Sequence, residues 1–160
     1  MTVQLAKSPA ACMLIAMRTA LIGSALMLVH FELLADDGQI DGTWLSADGD
    51  GWIDIRTVDG APIGLIAGSP DDPMNLLPPR YDDKNPDPAL RHRRLLGLQI
   101  LAGFHRSGDN KWSGGTIYDP NSGKTYKCTL QLEDANRLRV RGFIGISLLG
   151  RTEIWTRREE

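Results

Sequence analysis

The sequence predicts an all-β fold: an up-and-down antiparallel barrel of eight strands, with one long loop carrying a short helix. Three observations lead there. From Ala35 onward apolar and polar side chains alternate with a period close to two, as half-buried strands require. Seventeen glycines and nine prolines in 160 residues divide the chain into short elements joined by turns. About eight such segments follow one another, and closing them into a barrel removes the edges that an open sheet would expose.

"DGTWLS" from Asp41 is the first strand. Asp48-Gly49-Asp50-Gly51 reads as a hairpin turn, because no ligating Glu follows to make it a calcium loop. "GWIDIRTV" sets Ile53 and Ile55 on one face, and Asp59-Gly60 is a tight-turn signal leading into "PIGLIAG". After a long interruption "GLQILAGFH" resumes at Gly97, followed by "KWSGGTIYD". There Gly114-Gly115 marks a bulge or a close backbone approach. "TYKCTLQLE" is the clearest strand, with Tyr126, Cys128, Leu130 and Leu132 alternating with polar side chains. Asp134-Ala135-Asn136-Arg137 supplies a turn into "LRVRGFIG", where Leu138, Val140 and Ile144 oppose Arg139 and Arg141. "RTEIWTR" is last, and Gly142, Gly145 and Gly150 let the sheet bend before it.

The interruption runs from Ser69 to Leu96 and contains six prolines. Asp87 followed by Pro88 has the form of an N-cap and first helical position, which predicts a short helix through Arg94. A loop of this length in a small domain often carries function. Asp71-Asp72 and Asp82-Asp83 lack the spacing of a cation loop and read as solvated loop acids.

The first 35 residues have another character. From Met17 a basic start, an apolar run and Ala35 before "DD" form the layout of a secretory signal peptide. Residues 1–35 are therefore expected to be a leader, with Met17 the start, and residues 36–160 the barrel domain. The expected compartment is the periplasm or the exterior, with no stable membrane insertion once the leader is cleaved. Without the leader Cys128 has no partner for a disulfide and reads as a small core side chain. A formal net charge of −2 gives no field that would favour nucleic acid.

Gly42-Thr43-Trp44 opens the first strand and Arg157 ends the last. In a closed barrel these strands are neighbours, so a guanidinium can lie over the indole, with Arg151 as the alternative partner. This arrangement resembles the G-x-W and terminal-arginine signature of lipocalins and related calycin barrels. Longer blocks, "NPDPALRHRRLLGLQIL", "WSGGTIYDPNSGKTYKCTL" and "LRVRGFIGISLLGRTEIWTR", are similar to those of the domain of unknown function 2147 family of bacterial exported proteins. That resemblance implies a signal peptide, a lipocalin-like barrel and no established reaction.

No catalytic motif is recognisable. "GISLLG" misplaces the second glycine of a nucleophile elbow and lies between strands, so Ser147 reads as a turn residue. His92 and His105 have no metal-site spacing, and no cofactor is implied. The expected function is non-enzymatic binding of a small apolar or amphipathic molecule inside the barrel. Asn85 and Arg91 are the candidates at the mouth, Arg91 as the member of "RHRR" able to hold a carboxylate or phosphate. Trp112, Tyr118 and Tyr126 are the candidates for aromatic wall. By alternation Trp112 and Tyr118 share a face of their strand, a parity that a bulge at Gly114-Gly115 would break. The alternative is a cell-envelope protein-interaction module working through the Ser69–Leu96 loop.

Overall fold

A computed structural model describes residues 40–159; the leader assigned to residues 1–35 lies outside the described residues. The alternating segments form strands β1 (Gly42–Leu45), β2 (Trp52–Val58), β3 (Ala61–Gly68), β4 (Gln99–Ala102), β5 (His105–Gly108), β6 (Lys111–Asp119), β7 (Lys124–Asp134), β8 (Arg137–Phe143) and β9 (Arg151–Arg157). All neighbouring strands are antiparallel. β4 and β5 are two halves of one strand. Leu101 and Ala102 pair with Ile117 and Thr116, and His105 and Arg106 pair with Ser113 and Trp112 in the same register along β6. The break falls at Gly103-Phe104, where Gly103 has φ 75°, and the count becomes eight strands. Because β4 also pairs with β3, and β1 pairs with both β2 and β9, the sheet closes on itself.

Cross-strand partners share a face, so the register determines what points inward. Trp44 pairs with Ile53 and Arg157, Ile53 with Ile66, and Leu138 with Leu132 and Trp155. Between Trp112 and Gly115 the register with β7 shifts by one residue, with Gly114 at φ 75°. This bulge returns Gly115 to the inner face, under the ring of Phe104, where a Cβ would collide with it. Ile117 then points inward opposite Tyr126, and Tyr118 takes the other face from Trp112.

The two ends of the barrel differ. At one end Trp44, Ile55, Phe104, Trp112, Leu130, Leu132 and Leu138 fill the interior and are all buried. Trp44 is fully buried, and its Nε1–H donates to the Ile40 carbonyl at 2.9 Å. The Arg157 guanidinium carbon lies 4.3 Å from its ring centroid. That guanidinium also donates to the carbonyls of Asp41 and Ala135, each at 2.6 Å, tying the segment before β1 and the β7–β8 turn to the end of β9. Gly42 has φ 133°, and a Cβ there would strike Arg157 Nη1, which explains the glycine two residues before Trp44. Arg151 is not the partner; it lies at the opposite end. The chain terminus is held a second time, with Arg158 stacked 3.7 Å from the Trp52 ring centroid and its amide donating to Thr43 at 2.8 Å.

The long loop departs from its expected form. Asp87 does cap a turn, accepting from the Ala89 amide at 2.9 Å, but the helix is a single 3-10 turn, Pro88–Leu90. It stops there because the next residues are drawn into extended pairing. Asp82 N–H donates to the Arg93 carbonyl at 3.0 Å and Leu95 N–H to that of Arg80 at 2.9 Å, around a Tyr81–Arg94 bridge. No helix among the described residues is long and apolar enough to cross a membrane.

Candidate functional site

The half of the barrel away from Trp44 opens to solvent through a cavity of about 1340 Å³ that extends from the barrel interior among the rim loops. Seven of the eight strands give inward side chains to its wall: Ile53, Ile66, Ile100, Ile117, Tyr126, Val140 and Trp155. These side chains are mostly aliphatic, and Gly142 adds no bulk, so the space that indoles and leucines occupy at the closed end is left open here. The rim is made of four connections: the β1–β2 turn, the long β3–β4 loop, the β6–β7 turn and the β8–β9 loop. Large apolar side chains stand exposed on two of them, including Met74, Leu76 and Leu77 on the first and Ile144, Leu148 and Leu149 on the second.

One polar group is set into this wall. Glu153 pairs across the sheet with Val140 and so faces inward between Arg151 and Trp155. One oxygen accepts from Arg151 Nε at 3.2 Å, and the other from Trp155 Nε1–H at 3.3 Å. Arg151 reaches a second carboxylate, Asp48 on the β1–β2 turn, at 3.5 Å. Lower in the barrel, burial pushes the Cys128 thiol up to about 12. It is therefore a core group rather than a nucleophile.

The long loop is fastened beside the mouth by a buried cluster. Asp82 is completely inaccessible to solvent. This corrects the reading of Asp82 as a solvated loop acid, which holds for the exposed Asp83. Tyr118 donates its hydroxyl proton to Asp82 Oδ1. Asn85 Nδ2 and Arg93 Nη2 donate to Oδ2 at 2.8 and 2.7 Å. Burial works to raise the Asp82 pKa, but the hydrogen bonds from Tyr118, Arg93 and Asn85, with the charge of Arg93, outweigh it and hold the carboxyl below 3.8. Burial and the contact with Asp82 raise the Tyr118 pKa above 10.0, so the phenol remains a donor. No buried side-chain nitrogen or oxygen among the described residues lacks a partner.

With the closed barrel, the indole-guanidinium seal and the wall in place, comparison with known proteins is decisive for the family. The family model described as "Uncharacterized protein conserved in bacteria (DUF2147)" matches residues 42–157. The chain belongs to that family. A Helicobacter pylori protein, HP1028, described as belonging to the lipocalin family, superposes with a TM-score of 0.67 at 20% identity, over 75% of this chain and 83% of that one. This establishes a lipocalin-like fold. A redesigned β-barrel aligns with a TM-score of 0.42 at 14% identity, over 79% of this chain and 96% of that one. No curated protein matches the chain.

Within this DUF2147 barrel the residues singled out from the sequence are dispersed. Tyr126 and Tyr118 border the cavity, Tyr118 with its hydroxyl engaged by Asp82. Trp112 is packed in the closed half, 5% exposed. Asn85 is buried in the Asp82 cluster. Arg91 donates Nε to the Asn85 carbonyl at 2.8 Å, so that side chain braces the loop, and the cavity-lining member of "RHRR" is Arg94. Glu153 escaped the sequence reading. Its signal is parity with Trp155 and Arg157: once Arg157 meets Trp44 inside the barrel, Glu153 and Arg151 must share that face.

Proposed function

We propose that this protein is a non-enzymatic binder that holds a small apolar or amphipathic molecule in the open half of its barrel. The observation that carries the reading is the cavity: about 1340 Å³, walled by Ile53, Ile66, Ile100, Ile117 and Val140, with Tyr126 as a polar handle. Cavities of this kind, apolar with a few placed polar groups, are where proteins bury small ligands. The lipocalin-like fold of the barrel supports the same assignment, since a barrel of eight strands can hold one such molecule. Export is part of the proposal and rests on the Met17–Ala35 layout, with the mature chain working in the periplasm or outside the cell.

Native mass spectrometry of protein purified from its own compartment tests both parts. A mature mass beginning after Ala35, with an extra small-molecule mass lost on activation, is the expected spectrum. Replacing Gly142, which faces Ile117 and Tyr126, by Leu should fill part of the cavity and remove that extra mass. Repeated empty spectra would defeat the binding assignment, and a chain retaining residues before Ala35 would defeat the leader.

A second reading, a protein-interaction module of the cell envelope, is favoured by the exposure of Met74, Leu76 and Leu77 on the long loop. Changing all three to Ser should then abolish cross-linking to a partner in intact cells while leaving ligand capture in place. Unchanged cross-linking would discard it.

A further inference from the structure

The polar groups around the cavity carry information about charge that its volume does not. Residues 40–159 contain sixteen acidic and sixteen basic side chains, so this part of the chain is formally neutral. Six of those acids but only three of the bases line the cavity. Most rim acids have local duties: Asp72 accepts from the Leu76 and Leu77 amides at 2.7 and 3.0 Å, and Asp119 from the Asn121 amide at 2.9 Å. Such capping satisfies hydrogen bonds but leaves the negative charge in place.

The imbalance is sharpest on the wall itself. One guanidinium, that of Arg151, is shared by two carboxylates, Glu153 and Asp48, so the trio retains one net negative charge. Asp48 and Arg151 stand at the rim, with side chains 69% and 71% exposed, where water screens them. The Glu153 side chain is 27% exposed and borders the cavity beside the Trp155 indole. Low-dielectric walls strengthen the field of an incompletely neutralised carboxylate. Tyr126 on the same wall is an aromatic group, whose ring face attracts a cation and not an anion.

We propose that the cavity selects organic cations, meaning molecules with an apolar body and an ammonium group that settles against Glu153. This rests on the reading of the cavity as a ligand site and adds the charge of its occupant. The ammonium supplies the positive charge that the Asp48–Arg151–Glu153 trio lacks, while the body lies among Ile53, Ile100 and Ile117. An amphipathic carboxylate or phosphate would meet the same wall with like charge.

Three probes of one chain length separate the possibilities: tetradecyltrimethylammonium, tetradecanol and tetradecanoate, titrated below their micelle concentrations and followed by tryptophan fluorescence. The ammonium is expected to bind about tenfold more tightly than the alcohol, with the carboxylate weakest. Glu153→Gln keeps an acceptor for Trp155 and should erase the gap between ammonium and alcohol. Arg151→Gln removes the neutralising charge and should widen it; this opposite sign keeps the test decisive even if one variant folds poorly. Equal binding of alcohol and ammonium, or a gap that survives Glu153→Gln, overturns the charge selection and leaves the cavity reading intact. Failure of all three probes to bind overturns both.

Discussion

Trp44→Ala is expected to destabilise the protein by about 3–5 kcal/mol, the range for deleting a large aromatic from a packed core, and to lower Tm by about 10–20 °C. Three losses coincide at this position. The side chain is fully buried, so the cavity left behind cannot be filled by water at no cost. Its N–H is the donor that fixes Ile40 at 2.9 Å, and its ring carries the Arg157 guanidinium at 4.3 Å. Trp44→Phe separates them: it keeps most of the apolar volume, loses the N–H, and should cost about 1–2 kcal/mol. Urea unfolding of the three proteins checks the series. A Trp44→Ala protein within about 1 kcal/mol of the parent would mean that the closed end is not where the barrel's stability resides.

The guanidinium over that indole is worth about 0.5–2 kcal/mol as a cation–π contact, which understates its position. Arg157 bonds the Asp41 and Ala135 carbonyls, and β1 meets β9 through only two residue pairs, Trp44–Arg157 and Leu45–Thr156. A closure this short places much of its strength in side chains. Arg158 on Trp52 repeats the device on the next residue. A chain ending that is rich in arginine and tryptophan is thus the fastening of the last strand to the first.

This fastening was legible in the sequence because it depends on parity and order, which a strand writes directly into its residues. Tyr126, Cys128, Leu130 and Leu132 alternate without interruption, and they all face inward. Gly114-Gly115 announced the bulge, since only a backbone without Cβ accommodates both φ 75° at Gly114 and the Phe104 ring over Gly115. The loop was not legible in the same way. Asp82 meets Tyr118 at a separation of 36 residues, and nothing in "RYDDKNPDP" distinguishes the buried carboxylate from Asp83 next to it. Arg91, Arg93 and Arg94 are likewise equivalent in sequence. The register of the Tyr81–Arg94 bridge is what sends Arg93 to Asp82, Arg91 to a carbonyl and Arg94 to the cavity rim. Long-range polar partnerships leave no period to read, so the mouth stayed hidden while the barrel did not.

The Asp82 cluster gives the second large effect, and its pH dependence has a defined sign. Asp82→Ala removes the acceptor for Tyr118, Asn85 and Arg93 together. Because Arg93 is 40% exposed and can regain water, the expected cost is about 2–3 kcal/mol, with the loop rather than the barrel loosening first. The Asp82 pKa is lowered in the folded protein, so its contribution is fully present above the unfolded value near 3.9. It is lost as pH falls through the folded value. The Tyr118 pKa is raised, so its contribution is complete below about 10 and disappears as pH rises through its folded value. The fastening should therefore hold across neutral pH and fail at both extremes. Hydrogen exchange of the Leu95 and Asn85 amides, which bond the Arg80 and Asp82 carbonyls at 2.9 and 3.0 Å, reports the loop directly. At pH 7 the substitution should accelerate both, and below the folded pKa of Asp82 the parent and Asp82→Ala should converge. A loss of protection that is equal in β7, where Leu130 and Leu132 are buried, would show that the cluster supports the whole barrel instead of the rim of its mouth.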